Sequence, residues 1–433
     1  MINPREVARR VVGRVGEHGA WATLALAGEL GQAGLDERDR RFATELVYGT
    51  LRHQGRLERA LAAHADLRKA RPPVRAALLV AAYQLVFLRV PAHAAVDDAV
   101  AAVRGRFGPR LGGFVNAVLR KVAATGEPPL PDEPRARLAA EHSLAPWLVD
   151  ELVAQLPAAE VAGAAAGLKA QAPLWIRVNR TRATPAAVAA ALREDGATVE
   201  ATPLDDHALA VRGLGDPARA ASFRAGLWTV QDLAAQLVGR LAAPSPGARI
   251  LDACAGVGGK TTHLLELVAG GATVDAVDPL AEKLARAAAS AARLGLGGLS
   301  THVGPLASLP AGPPYDLVVV DAPCSGAGVL RRHPEAALRL TRADVDGLVA
   351  LQRELLTLAA ARVAVGGALV YAVCTITAAE GPGQLAWFVA THPGFVVEPG
   401  PIPAAAADGG AVRTWPHRHD ADGFFAVRLR RAA

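Results

Sequence analysis

Ile250-Leu251-Asp252-Ala253-Cys254-Ala255-Gly256-Val257-Gly258-Gly259-Lys260-Thr261 is the stretch on which the fold turns. An apolar strand, Arg249 to Ala253, runs into a glycine-rich loop, and Thr261 to Val268 continues as a helix. Glycines at this corner let the backbone turn tightly and approach a ligand whose polar end sits at the helix N-terminus. A phosphate-binding loop needs glycine five residues before Gly259, where Cys254 stands, and the dinucleotide spacing G-x-G-x-x-G is not met by Gly256-Val257-Gly258-Gly259. The next strand ends in Val277-Asp278, which sets a carboxylate 19 residues after Gly259, where it can accept hydrogen bonds from a ribose diol. NAD and S-adenosylmethionine both carry such a diol, and an ordinary corner with no ligand is the third reading.

Outward from this corner, apolar runs at Thr273 to Val277, Asp316 to Val320 and Ala368 to Val373 alternate with helical stretches and read as buried parallel strands. Residues 231–433 are therefore expected to form a doubly wound α/β domain. The third of its strands ends in Asp321-Ala322-Pro323-Cys324-Ser325-Gly326 and the fourth in Tyr371-Ala372-Val373-Cys374-Thr375. Carboxyl ends of strands line one crevice in such a sheet, so Asp252, Asp278, Asp321, Cys324 and Cys374 should converge. The chain has only 3 cysteines, and all of them fall at strand ends. Two thiols, a carboxylate and a methyl-donor pocket suit methylation of a pyrimidine at C5. That carbon is too weak a nucleophile alone; a thiolate adding at C6 makes an enamine that can attack a sulfonium methyl, an acid near N3 assists, and loss of the C5 proton ejects the thiol. Arg331 or Arg332 nearby would favour the thiolate.

Toward the N-terminus, Asn3, Pro4 and Glu6 make a helix start followed by Val7, Val11 and Val15 at helical spacing. Further helices are expected over Asp39 to Arg52, Val74 to Leu88, His93 to Arg104 and Leu111 to Val122, so residues 1–126 read as a compact helical bundle. Pro128, Pro129, Pro131 and Pro134 disfavour helix and mark residues 127–134 as a semi-rigid linker. Residues 135–230 are expected as a small α+β subdomain: helices over 135–156 and 158–169, a strand Leu174 to Asn179, a helix opened by Thr184-Pro185, and strands Thr198 to Thr202 and Ala208 to Arg212.

The 433 residues are 51% hydrophobic but only 4% aromatic, which excludes wholesale disorder and leaves cores of small aliphatic side chains. Residues 1–145 carry 22 Lys and Arg against 15 Asp and Glu, whereas residues 146–433 carry 25 against 26, so the whole positive excess sits in the first third. That balance suits nucleic-acid binding by the bundle, although an Arg-rich run such as Arg38 to Arg41 is equally a solvated helix face. An odd number of cysteines without C-x-x-C excludes a disulfide framework or zinc cluster, and no metal is expected. The longest apolar run, Ala76 to Leu88, has 13 residues, too few to span a bilayer. With no export signal after Met1-Ile2-Asn3, a cytoplasmic protein without membrane attachment is expected.

At these residues the chain resembles the bacterial 16S rRNA (cytosine-5)-methyltransferase B family, also called Sun or Fmu proteins. Beside the glycine loop, the resemblance includes Val230-Gln231-Asp232, Asp321 to Gly326, Arg331-Arg332-His333-Pro334-Glu335, Gly366 to Tyr371 and Asp422-Gly423-Phe424-Phe425. Leu46-Val47-Tyr48-Gly49-Thr50-Leu51-Arg52, Tyr83-Gln84-Leu85 and Phe114 to Arg120 look like the NusB-type RNA-binding bundle of this subfamily. The resemblance implies an all-helical NusB-like domain, a small α+β subdomain and a Rossmann-like class I methyltransferase domain that uses S-adenosylmethionine. It implies Cys374 as nucleophile and Cys324 as the thiol that assists product release. Cys254, Ala255, Gly256, Val257, Gly258, Gly259, Lys260, Asp278 and Asp321 would form the cofactor pocket, with Asp321 also hydrogen-bonding the cytosine. The implied partner of this monomer is 16S rRNA or a small-subunit precursor, presenting one unpaired or flipped cytosine. Three positions depart from the family pattern: Gly256-Val257 replaces Ala-Pro, Pro305 rather than Asp follows Gly304, and Gly381 rather than Asn follows Glu380. Pro305 and Gly381 give the alternative, a weak or inactive enzyme serving as an RNA-binding assembly factor; retention of both thiols argues against it.

Overall fold

The structure, a computed structural model, describes residues 3–269 and 271–432. Met1 and Ile2, on which the reading of an unexported start rests in part, lie outside the described residues. Contacts divide the chain into two compact units, one of residues 1–170 with 330–340 and the other of residues 171–329 with 341–433. No helix among the described residues is long and apolar enough to cross a membrane.

The first unit is helical: α1 (Pro4–His18), α2 (Ala22–Gln32), α3 (Glu37–Arg52), α4 (Gln54–Ala62), α5 (Pro72–Val86), α6 (Ala92–Phe107), α7 (Pro109–Thr125), α8 (Pro134–His142), α9 (Pro146–Gln155) and α10 (Ala158–Lys169). The helix-start signals act as expected: Asn3 Oδ1 accepts the Glu6 N–H at 2.8 Å, and Val7, Val11 and Val15 are buried. α5 is apolar all round and accordingly sits in the middle, touching α1, α3, α4, α6 and α7. Gly49 is required there, because a Cβ would lie 2.0 Å from Tyr83 Cζ. α2 and α4 carried no clear sequence signal: neither has a side-chain cap, and α4 follows α3 after His53 alone. The helix expected over 135–156 is two helices, broken where Ser143 adopts a left-handed φ of 51° and Pro146 opens the next turn.

Residues 330–340 complete this unit. The Glu335 carboxylate, 3% exposed, accepts the Ala22 N–H at 3.0 Å, and His333 meets Trp21 edge-on at 5.2 Å. Arg339 Nη2 donates to the Val15 carbonyl at 2.7 Å and Trp147 Nε1 to the Leu340 carbonyl at 2.8 Å.

The second unit opens with a four-stranded antiparallel sheet in the order β2-β3-β1-β4, built of β1 (Leu174–Val178), β2 (Thr198–Thr202), β3 (Asp205–Arg212) and β4 (Trp228–Val230). Thr184 caps the helix Pro185–Glu194 as expected, accepting the Ala187 N–H at 3.3 Å. β4, three residues long, is too short to show a period and was not expected.

The larger sheet contains β5 (Arg249–Asp252), β6 (Thr273–Asp278), β7 (Leu299–Val303), β8 (Tyr315–Asp321), β9 (Val363–Val373), β10 (Phe395–Val397), β11 (Ala407–Asp408), β12 (Ala411–Thr414) and β13 (Phe424–Arg431). Its order is β11-β12-β13-β9-β8-β5-β6-β7, with β10 also paired to β13. The four expected parallel strands are present. β5 to β9 run parallel, while β13 enters antiparallel beside β9, an addition the sequence reading did not include. Alternate residues face opposite layers: Ile250, Leu317, Val319 and Val370 pack with the helix Leu233–Ala242, whereas Leu251, Val318, Val320 and Tyr371 pack with the helix Arg342–Ala360. From β5 the chain winds outward to β6 and β7, then returns to β8 and β9 on the other side. The order reverses between β5 and β8, which opens a crevice at their carboxyl ends.

Candidate active site

After β5 the loop folds back on β6: the Ala255 N–H donates to the Val277 carbonyl at 2.9 Å and the Gly256 N–H to Asp278 Oδ2 at 3.1 Å. Asp278 Oδ1 accepts the Leu280 N–H at 2.9 Å. Gly258 has a φ of +83°, and a Cβ there would stand 2.5 Å from the Ala287 Cβ, so only glycine lets the loop pass under the helix Ala281–Leu294. Nothing lies within 4 Å of a Cβ built on Gly256, so the loop faces open space there. Val257, Leu280 and Val303, the last paired in register with Asp278, are exposed apolar side chains around that carboxylate. A carboxylate flanked by apolar faces and free backbone beside a helix start fits a nucleoside with a polar tail.

Asp252 is fully buried, accepts Thr261 Oγ1 at 2.6 Å, and has its carboxyl pushed up to about 6 by burial, with the Thr261 hydrogen bond opposing. It holds the loop from beneath. Burial, reinforced by Asp252, Asp321 and Asp278, drives the Cys254 thiol well above the usual thiol range, so Cys254 is a neutral wall of the crevice.

Lys260 Nζ reaches across the switch point to Asp321 Oδ2 at 2.5 Å and lies 5.2 Å from the centre of the Phe424 ring. Beyond β8 and β9, Cys324 Sγ and Cys374 Sγ stand 3.3 Å apart, both partly buried. The hydrogen bond with Cys374, and then burial, raises the Cys324 thiol well above its ordinary value, and either sulfur can be the donor in the pair. Arg331 and Arg332 belong to the segment 330–340, grouped with the helical unit.

The motif Asp422-Gly423-Phe424-Phe425 now has a physical role. Gly328 and Gly423 cross backbone to backbone, a Cβ on Gly328 falling 1.9 Å from the Gly423 carbonyl oxygen. The Gly328 N–H donates to the Cys374 carbonyl at 3.1 Å and the Gly423 N–H to the Gly328 carbonyl at 2.9 Å. Sequence reasoning missed the polar supports of the site. Arg177 of β1, 1% exposed, donates to the Gly259 carbonyl at 3.1 Å, to Thr262 Oγ1 at 3.2 Å, to Glu266 at 3.1 Å and to Gln231. Glu380 binds the residues that follow both cysteines. Arg177 carries no spacing signal, because its partners lie far away in the chain, and Glu380 reaches the distant Ser325 and Gln352 as well as the nearby Thr375 and Thr377.

Comparison with known proteins agrees with this geometry. Residues 240–430 match the family described as 16S rRNA methyltransferase RsmB/F, residues 2–124 the NusB family, and residues 145–216 the ferredoxin-like domain of RsmF/B-like methyltransferases. The ribosomal RNA small subunit methyltransferase B of Pseudomonas putida is 36% identical over 401 residues, covering 91% of this chain and 90% of that protein. That of Sodalis glossinidius is 36% identical over 434 residues, covering 99% and 97%. The chain belongs to the ribosomal RNA small subunit methyltransferase B family. As a member of this family it is a methyltransferase acting on rRNA, with a NusB-like helical domain, a ferredoxin-like domain and a Rossmann-like methyltransferase domain. The methyltransferase B fold seen here is shared with the crystal structure of PH0851, 26% identical, at a TM-score of 0.86 over 99% of both chains. NSun6 from Pyrococcus horikoshii, crystallised with SFG, shares the fold at 19% identity and a TM-score of 0.60, covering 66% of this chain and 98% of that one.

Proposed function

We propose that this chain methylates C5 of a cytosine in 16S rRNA, or in a small-subunit precursor, by a two-thiol mechanism with S-adenosylmethionine as donor. The observation that carries the reading is the 3.3 Å separation of Cys324 and Cys374 sulfurs beside Asp321, at the ends of adjacent parallel strands. The residues Cys254 to Lys260 and Asp278 would hold S-adenosylmethionine, which supplies an electrophilic methyl group; Asp278 takes the ribose hydroxyls and Val257, Leu280 and Val303 the base. Pro305, where the family has Asp, begins a short 3-10 turn, and the Gly304 N–H bonds the Asp278 carbonyl at 3.1 Å, so that part of the pocket is closed by backbone.

Cys374 adds through sulfur to C6 of the cytosine, placing electron density on C5. Once C5 carries the methyl group, loss of the C5 proton to a base re-forms the C5–C6 double bond and returns the C6–S electron pair to Cys374; Cys324, its sulfur 3.3 Å away, assists that release. Asp321, oriented by Lys260, hydrogen-bonds the polar edge of the base. The NusB-like bundle with its excess of arginine supplies RNA affinity, and the chain works as a cytoplasmic monomer on a flipped or unpaired base.

Transfer of labelled methyl from S-adenosylmethionine to unmodified 16S rRNA tests the reading. Wild type should label cytosine C5, Cys374→Ala should label nothing, and Cys324→Ala should accumulate a covalent RNA adduct. RNA binding without transfer by wild type would instead make the chain an assembly factor.

A further inference from the structure

Glu380 is fully buried, and no cation pairs with it among the described residues. An uncompensated carboxylate in that position costs several kcal/mol unless hydrogen bonds hold it. Five donors do so, and they come from both sides of the thiol pair. Oε1 accepts the Ser325 N–H at 2.7 Å and Gln352 Nε2 at 3.1 Å. Oε2 accepts Ser325 Oγ at 2.5 Å, Thr377 Oγ1 at 2.7 Å and Thr375 Oγ1 at 3.0 Å. Ser325 follows Cys324 and Thr375 follows Cys374, so one carboxylate ties together the two loops that present the sulfurs. Its own backbone is fixed as well, because the Tyr371 hydroxyl of β9 donates to the Glu380 carbonyl at 2.7 Å.

We propose that Glu380 is a positioning residue that sets the spacing of the two thiols and, through its buried charge, their order of protonation, so that Cys324 carries the proton and Cys374 presents the reacting sulfur. The inference rests on the two-thiol reading. The charged and titratable groups around Cys324 are Cys374, Glu380, Tyr371 and the Asp321–Lys260 pair. The Glu380 charge acts on Cys324 in the same direction as its hydrogen bond to Cys374. Three hydroxyls and one amide share the network, so a glutamine can be accommodated by hydroxyl rotation, with the charge removed and the geometry kept.

The test uses full-length protein. Alkylation of Cys324 by iodoacetamide, followed by mass spectrometry against pH, reports its protonation without any substrate, and methyl transfer to 16S rRNA reports function. Glu380→Gln should lower the alkylation midpoint of Cys324 by about one pH unit or more. It should also reduce kcat about tenfold, with KM for S-adenosylmethionine changed less than about twofold, because the cofactor loop lies on other strands. Glu380→Ala should reduce kcat further. Thr377→Val keeps the charge and loses one donor, so kcat should fall with the midpoint unmoved; it carries the test if Glu380→Gln does not fold. Wild-type midpoint and kcat in Glu380→Gln, or wild-type kcat in Thr377→Val, would overturn the proposal. A shifted midpoint in a protein whose wild type transfers no methyl would leave the positioning role standing and refute the two-thiol function.

Discussion

The Lys260 ammonium stands 2.5 Å from the Asp321 carboxylate, so the first turn of the glycine-loop helix is pinned to the end of the neighbouring strand. Asp321 is one-third exposed, which leaves its other oxygen able to meet a base. Lys260→Met should lower the methyl-transfer rate about tenfold while calorimetric affinity for S-adenosylmethionine changes by less than about threefold. Asp321→Asn should cost about a hundredfold in rate, because it loses the charge as well as the orientation.

Gly328 and Gly423 cross too closely for any side chain. Gly328→Ala should destabilise the protein by about 2–4 kcal/mol in urea titration, since two backbones must part to admit the methyl group. It should also move the Cys374 carbonyl to which Gly328 is bonded, so transfer in the folded fraction should fall more than cofactor binding.

Arg177 and Glu266 are both 1% exposed and joined at 3.1 Å. Arg177→Met strands the Glu266 charge and should cost about 3–5 kcal/mol of stability. The double variant Arg177→Met, Glu266→Leu should recover most of that loss. Cofactor affinity should stay reduced in the double variant, because the Gly259 carbonyl has lost the Arg177 donor; equal recovery of stability and affinity would refute a role for Arg177 in holding the loop.

Lys169, 6% exposed, has no hydrogen-bond partner for its ammonium among the described residues, and burial brings its pKa down from 10.5 to about 7. The folded protein therefore binds fewer protons than the unfolded chain between pH 7 and 10.5, and stability should rise with pH across that window. A gain of about 2–4 kcal/mol is expected. Lys169→Met should flatten the rise, as measured by denaturant unfolding at pH 7 and pH 10.

Much of the site was legible because its parts lie at chain positions with local grammar. Asp252 to Lys260, Asp278, Asp321, Cys324 and Cys374 are strand ends and a glycine turn, and a parallel sheet delivers such ends to one crevice whatever the intervening sequence. Their pairing was not legible: the 60 residues between Lys260 and Asp321 say nothing of a 2.5 Å contact. The supporting roles of Glu380 and Arg177 escaped because a buried polar residue is identified by its partners, which here come from β9, the loops after β4, β8 and β9, and the helices Gly259–Leu267 and Arg342–Ala360. In the fold, strand β7 has mostly exposed residues and hence no apolar run, and the break at Ser143 lies in a stretch whose composition is helical on both sides.

The segment 330–340 carries a consequence for how the protein is born. Helices α1 to α10 leave the ribosome before Leu330 has been translated, so the Ala22 N–H and the Val15 carbonyl wait without Glu335 and Arg339 until β5 to β8 have been made. A nascent chain, or a fragment cut after Ala170, thus holds an unfinished bundle whose buried donor at Ala22 is open to water. Maturation of the helical unit is thus postponed until the strand leading to Cys324 exists, although its ten helices are encoded first.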